Sequence, residues 1–509
     1  MAINTPEPRT STETSSFTLG TSGILEENFE SRSNDFQPQA ETDLLAALLA
    51  GESMSDLSLN ATELHDVRSK AEKMDSEGCL GQFVAEYVSE RKCFIKLRFQ
   101  NLWDQNLQMG TAYTQKLEWE VLEVKIMRWI RGARCSLRDI LACEKRLSMY
   151  VFQGLGNAST ARSCFIEIVK DPVARLLDFP EALCSCRRSP ERLRKMLLLH
   201  TSFSHLISDV KASFGASEEE IRSIQARADV ILSRLGEVVR LTLVDFEAAI
   251  LGDLDECPAP DGAIHRLTKY VMDYIIGLTD FQESLMELIL SKPSVSSGDG
   301  LSSKLEVAEL ERQTPLAAHL LWTIIVLLNN LERKSKSYRD PSLSNLFVMN
   351  NIHYIVQGIR KSRVLRQMAG CYLNKLTEIV REAMYGYLKA SWDQVMYCLR
   401  SQGLRVVSWG CISWVSKNVP KDRLKKFNKL FAEIHFAQTM WTVPDLGLRE
   451  GLQRSIRNRL IPTYESYLRN FGSHIMSGEG SSERCILYSV EELEDRVLEL
   501  FTCPLLPLE

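Results

Sequence analysis

The sequence predicts an all-α fold, an elongated rod of consecutive antiparallel helical bundles. Three observations carry that expectation. Gly and Pro together make only 42 of 509 residues, against an average of about 12%, so turns are few and elements long. Apolar residues recur at spacings of three and four behind recognisable helix-start signals. No stretch of comparable length alternates with period two between hairpin turns, so no sheet is expected.

Residues 1–60 are rich in Ser, Thr, Glu and Asn and are expected to be an acidic disordered segment, because little there could offset the entropy of ordering. Within them, Leu44–Leu49 behind Thr42-Asp43 predicts a short transient helix. Residues 61–115 are expected to hold a few helices and 116–507 the main multi-helical region. Trp119, Leu122, Ile126, Trp129 and Ala133 share one helix face. Ser189-Pro190 reads as an N-cap with Pro in the first turn. Ser217-x-x-Glu220 reads as a capping box opening a helix with Ile221, Ile224, Ala228, Ile231, Leu235 and Val238 on one side. Ile264, Leu267, Val271, Tyr274 and Leu278 form another stripe. Pro315–Leu331 is the most apolar segment, but His319 and Asn329-Asn330 interrupt it, so a buried core helix is expected rather than a membrane span. Ser489-x-x-Glu492 caps a terminal helix over 489–501. Breaks are expected at Asp253–Gly262, Lys292–Ser303 and Gly472–Glu483.

The 13 Cys are scattered singly, an odd count without regular spacing. They are expected to be reduced thiols acting as small core hydrophobes. The polar N-terminus has no apolar run of the kind a signal peptide needs, and no lipid-anchor motif is present. Together these point to a cytoplasmic protein.

The formal net charge is -5, which averages over unlike segments. Residues 1–60 carry 2 basic and 10 acidic side chains, residues 61–329 carry 33 and 38, and residues 470–509 carry 2 and 8. Residues 330–469 carry 24 basic and 10 acidic, a net charge of +14. On the helix that starts at Pro420, Leu424, Phe427, Leu430, Phe431 and Ile434 share one side. Lys421, Lys425, Lys426 and Lys429 share the other. The next helix carries Arg449, Arg454, Arg457, Arg459 and Arg469. Adjacent basic helices favour an anionic partner. A phospholipid surface fits, where each nearby Lys or Arg contributes about 1 kcal/mol. Nucleic acid is not expected, because no reading motif or interleaved stacking aromatics accompany the charge.

No phosphate loop, His-Glu-x-x-His pair or Gly-x-Ser-x-Gly elbow occurs. The eight His are dispersed, and His353 and His435 read as hydrogen-bonded core histidines. No catalytic residue, metal site or cofactor is assigned, and an enzyme is not expected.

Several strings go beyond generic helix. Leu346-Phe-Val-Met-Asn-Asn-Ile-His-Tyr-Ile-Val356 resembles the signature of the plant-type seventy-kilodalton subunit family of the exocyst complex. Leu331-Glu-x-Lys334-Ser-Lys336-x-Tyr338-x-Asp340-Pro341 is similar to the same family. So are Glu433-Ile-His435, Gln438-x-x-Trp441-x-Val-Pro444-Asp445, Gly262-Ala-Ile-His265 and Leu117-Glu-Trp119-Glu. The resemblance covers about residues 60–503.

The resemblance implies a rod of helical bundles that tethers secretory vesicles to the plasma membrane before fusion, peripheral at that membrane. It implies other exocyst subunits as partners, together with anionic phosphoinositide and a small GTPase. In the family a Lys-Tyr-x-Lys-Tyr string before the last helix contacts phosphoinositide. Here Arg484 keeps one cation and Leu487 replaces the other. The lipid-binding candidates are therefore Lys421, Lys425, Lys426, Lys429, Arg454, Arg457, Arg459 and Arg484. Some 60 acidic residues precede the matched region, in the place of the family's N-terminal coiled-coil helices, and 61–115 read as a remnant of those helices. Weaker assembly into the complex is the corresponding expectation. The alternative is a diverged member acting outside the complex, as an adaptor in plant immunity or specialised trafficking.

Overall fold

The computed structural model describes residues 61–102, 118–157, 159–214, 219–253, 259–292, 310–401, 405–408, 411–414, 418–476 and 485–502. The expected Leu44–Leu49 helix, the Ser217 cap and nearly all of the Lys292–Ser303 loop lie outside these residues. The described residues form two compact units, one from those up to Phe99 plus Cys135–Asp171, the other from those in Gln100–Arg134 plus Pro172 onward.

The first helices are α1 (Ala61–Ser76), α2 (Leu80–Leu102), α3 (Trp119–Cys135), α4 (Leu141–Val151) and α5 (Thr160–Leu176), with a π turn at Ser136–Ile140 before α4. The core of the first unit gathers Phe83 and Tyr87 of α2 around Phe152 just past α4. The Tyr87 and Phe152 rings meet edge to face at 5.2 Å, a preferred aromatic geometry. One turn further along α2, Arg91 donates to Glu144 of α4 at 2.5 Å. Glu144 is only 1% exposed, so the charge is almost fully withdrawn from water. Burial, and then the Glu144 charge, push the Tyr87 hydroxyl far above its usual range. Lys92 pairs with Glu167 of α5. These contacts join residues 61–99 to 135–171, so the compact unit does not follow the sequence boundary at 115/116.

In the second unit, Leu122, Ile126, Trp129 and Ala133 of α3 are buried as the 3/4 spacing predicts. The Trp129 indole N–H donates to the Leu176 carbonyl at 3.1 Å. Next come α6 (Asp178–Leu183), α7 (Leu193–Phe214) and α8 (Glu219–Gly252). Ser189 departs from the expected capping role. It precedes a 3₁₀ turn at Pro190–Arg192 and makes no cap hydrogen bond, because its hydroxyl is taken by the Glu191 carboxylate. On α8, Ile221, Ala228, Ile231 and Leu235 are buried.

His200 of α7 is buried, and its Nδ1 has no hydrogen-bond partner. Burial, then the nearby Arg240 charge, lower its pKa below 6.5. The neutral ring is thus favoured in the folded state, while the unfolded chain binds the proton at about its ordinary value. The stability this gives is complete above 6.5 and is lost as pH falls through the window below it. Urea midpoints from pH about 7.5 to about 5 are expected to fall in the parent, with a shallower fall in His200→Gln.

The chain continues with α9 (Arg266–Leu278), α10 (Gln282–Leu288), α11 (Pro315–Ser335), α12 (Pro341–Lys361) and α13 (Arg363–Cys398). Helix α11 is long and apolar enough to cross a membrane, but 72% of its apolar window is buried inside the fold. Thr314 caps it through the Ala317 N–H. Helices α12 and α13 form a tight hairpin turned at Ser362, whose side chain caps α13.

A small hairpin then departs from the all-helical expectation. Strands β1 (Arg405–Ser408) and β2 (Cys411–Trp414) pair antiparallel with Ser408 opposite Cys411. β-Branched Val406, Val407 and Ile412 favour strands, but four residues each are too few to register as a periodic signal.

Last come α14 (Val419–Thr439), α15 (Leu446–Met476) and α16 (Val490–Leu498). Helix α15 runs on to Met476, held by buried Phe471 and Ile475, so it takes in the first residues of the expected Gly472–Glu483 break, whose remainder lies outside the described residues. The Ser489–Glu492 capping box is complete in both directions. Helix α16 ends at Leu498 rather than Phe501. Phe501 takes φ 65°, a left-handed conformation uncommon for a bulky residue. Its N–H donates to the Gln438 carbonyl at 3.1 Å, and its ring lies 5.9 Å from that of Tyr387.

Of the described cysteines, Cys164, Cys398 and Cys485 are buried, four are half-buried, and Cys79 and Cys93 are exposed. The core reading therefore fails for the exposed two. Burial pushes the Cys164 and Cys184 thiols up to about 11, which leaves little reactive thiolate at neutral pH.

Candidate lipid-binding surface

Helix α14 begins with Pro420 in its first turn and Asp422 close behind, both favourable at a helix N-terminus. Leu424, Phe427 and Phe431 are buried on one side, and Leu430 and Ile434 are half-buried. Phe427 stacks on Tyr464 of α15 at 5.2 Å between centroids, and the Tyr467 hydroxyl donates to the Pro420 carbonyl. Lys425, Lys426 and Lys429 are exposed and Lys421 is half-buried. Helical geometry puts Lys429 about 160° from Phe427, so this lysine face points away from α15. Lys429 comes within 4.0 Å of Glu433. Lys421 and Lys426 have no ion-pair partner among the described residues.

The arginines of α15 are arranged differently. Arg454 and Arg459 are exposed and Arg457 is half-buried. At 100° per residue Arg459 lies about 140° from Arg454 and about 160° from Arg457. Arg459 also approaches Asp393 of α13 at 3.6 Å. Lys421, Lys425 and Lys429 lie within about 80° of one another and Lys426 about 60° beyond Lys429, with exposed Asp422 and Glu433 on the same stripe. The three arginines lie on another helix, with Arg459 on the far side from Arg457. Arg484 lies outside the described residues.

Cys485–Ser489 runs beside α14. Asn428 donates to the Cys485 carbonyl at 2.9 Å, and the Tyr488 ring meets Phe431 at 5.2 Å. Leu487 is 55% exposed in this segment. His435 lies 2.9 Å from a Glu499 carboxylate oxygen. His353 lies 3.2 Å from Gln357 and 3.4 Å from Asp445. Both histidines sit in structural contacts between elements. Among the described residues no group of three His, Cys, Asp or Glu could hold a metal ion.

The sequence signatures take their places around this surface as its support. Asn350 donates to the carbonyls of Gly262 and Thr442. The Asn351 carbonyl oxygen accepts from the His265 N–H at 2.9 Å and from the Thr268 hydroxyl at 2.6 Å. The adjacent asparagines thus tie the loops before α9 and after α14 to α12. Gly262 itself sits at φ +74°, where an added Cβ would meet Leu343 at 2.9 Å. Gln438 is 1% exposed. Its amide donates to the Ser391 hydroxyl and its carbonyl accepts from Tyr387. The Tyr387 hydroxyl in turn accepts from the Trp392 indole at 3.1 Å. Such a satisfied polar network fixes one arrangement of α13, α14 and the chain end. The sequence marked these residues by resemblance; only the folded contacts give their physical role.

Comparison with known proteins bears on the family resemblance. The family model for the C-terminal region of the Exo70 exocyst complex subunit matches residues 127–499. Among curated relatives, exocyst complex component EXO70A1 of Arabidopsis thaliana is 32% identical over 444 residues, which cover 86% of this chain and 66% of the relative. EXO70B1 of the same plant is 29% identical over 443 residues, covering 87% and 67%. The chain thus spans about two thirds of the length of these relatives. A solved structure of S. cerevisiae Exo70 aligns with a TM-score of 0.51 at 14% identity, covering 87% of this chain and 80% of the yeast chain. At that identity the likeness concerns the fold alone. Because the family model spans well over half of the sequence, the chain belongs to the Exo70 family of exocyst complex subunits.

Proposed function

We propose that the chain acts as an exocyst subunit that helps tether secretory vesicles to the plasma membrane, holding the membrane through anionic phosphoinositide. The observation that carries this reading is the lysine face of α14. It is presented opposite an apolar side on which Leu424, Phe427 and Phe431 are buried, within a segment of net charge +14. A helix so packed holds its cations without further folding, and each contributes about 1 kcal/mol near an anionic leaflet. No catalytic step is part of the proposal. The other exocyst subunits are the proposed protein partners. Sedimentation with liposomes containing or lacking bisphosphorylated phosphoinositide tests the membrane part. Lipid-dependent pelleting is expected at about 0.15 M salt, weakening as salt screens the charges. Pelleting that does not depend on the lipid would remove this part. Co-purification of the other subunits from native tissue tests the assembly part.

A further inference from the structure

The lysine face does not end in charge. Phe436 is 76% exposed and Met440 48% exposed, and both continue the same stripe. At 100° per residue each lies within about 20° of Lys429, roughly 10 and 16 Å further along the helix. The side of α14 that buries Leu424, Phe427 and Phe431 is opposite, so no packing inside the described fold occupies Phe436. Leu487 is 55% exposed, in the segment fixed to α14 by the Asn428 contact to Cys485. One surface thus carries four lysines, with Asp422 and Glu433 among them, and a large aromatic at one end, and the neighbouring segment exposes a leucine.

We propose that Phe436, with Met440 and Leu487, is an apolar anchor that enters the acyl boundary of an anionic bilayer while the lysines hold the headgroups. The inference rests on the membrane reading above and adds a second energetic component to it. The occupant is argued from charge complementarity. Lysines at Lys421, Lys425 and Lys429, leading along the helix to an exposed aromatic, match a surface that is anionic at the headgroups and apolar just beneath them. Interfacial helices divide their affinity in this way, between buried apolar area and attraction to anionic lipid. The two parts respond differently to salt, since charge attraction is screened and apolar burial is not.

The test uses the full chain and vesicles of neutral lipid with and without bisphosphorylated phosphoinositide. Phe436→Trp is compared with the parent, with acyl chains brominated at a shallow position. The expected result is additional fluorescence quenching in the variant that appears only with anionic vesicles. Phe436→Ser is expected to bind those vesicles roughly tenfold more weakly, with an unchanged dependence on salt and an unchanged thermal midpoint. If the parent binds anionic vesicles, yet Phe436→Trp is not quenched and Phe436→Ser binds equally well, the anchor is overturned and the electrostatic reading stands. If the parent binds no vesicle at all, both fall. If Phe436→Ser leaves vesicle binding intact but releases the other exocyst subunits, the face belongs to a protein contact and the anchor is overturned.

Discussion

Replacing Lys421, Lys425, Lys426 and Lys429 together by Ala is expected to weaken binding to phosphoinositide vesicles by about a thousandfold. Four cations near an anionic surface contribute about 4 kcal/mol, and each 1.4 kcal/mol is a factor of ten in affinity. The fold should survive, because three of these side chains are exposed and the fourth half-buried, and the opposite face of α14 is untouched. The matched control is Arg454→Ala, Arg457→Ala and Arg459→Ala. Its effect is expected to be below about tenfold, because the arginines point in different directions and Arg459 is engaged with Asp393. Vesicle sedimentation at several salt concentrations measures both. Equal losses in the two variants would show that total charge, rather than the lysine face, governs binding. An unaltered affinity in the lysine variant would remove α14 from the lipid site.

Glu144→Ala is expected to destabilise the first unit by about 3–5 kcal/mol. The substitution leaves the Arg91 guanidinium, which is 13% exposed, without the carboxylate that compensates its burial. An unpaired buried charge costs far more than the pair contributes, because desolvation is no longer repaid. The double variant Arg91→Met with Glu144→Leu is expected to recover most of the loss, since an apolar pair of similar size removes both charges. Denaturant unfolding of the two variants against the parent measures this. A Glu144→Ala loss below about 1 kcal/mol would mean that water reaches Arg91 and that the pair behaves as a surface ion pair.

Much of this fold was legible in the sequence, for a local reason. The face of a helix follows from residue spacing, so the burial of Leu122, Ile126 and Trp129 and the lysine face of α14 could be read directly. The capping box at Ser489 is equally local. Where a reading failed, a distant or competing group had intervened. Ser189 gave its hydroxyl to Glu191, and α15 crossed Gly472 because Phe471 and Ile475 are packed. Phe436 carries no local mark of exposure, although the same arithmetic places it beside Lys429. An apolar residue on a helix is ordinarily read as core, and only its exposure in the fold reverses that.

By itself, the sequence determined the helical class, the +14 segment and the lysine stripe, because these depend on composition and on spacing within one element. The tertiary structure alone decided which charges act together. It kept Lys421, Lys425, Lys426 and Lys429 on one open face, turned Arg459 toward Asp393, and set Leu487 along the flank of α14. It also gave Asn350, Asn351 and Gln438 their partners in segments 47 to 92 residues away. The physical reason is one of range. Backbone geometry fixes where a side chain points from its own helix, but what lies there is fixed by how the helices pack.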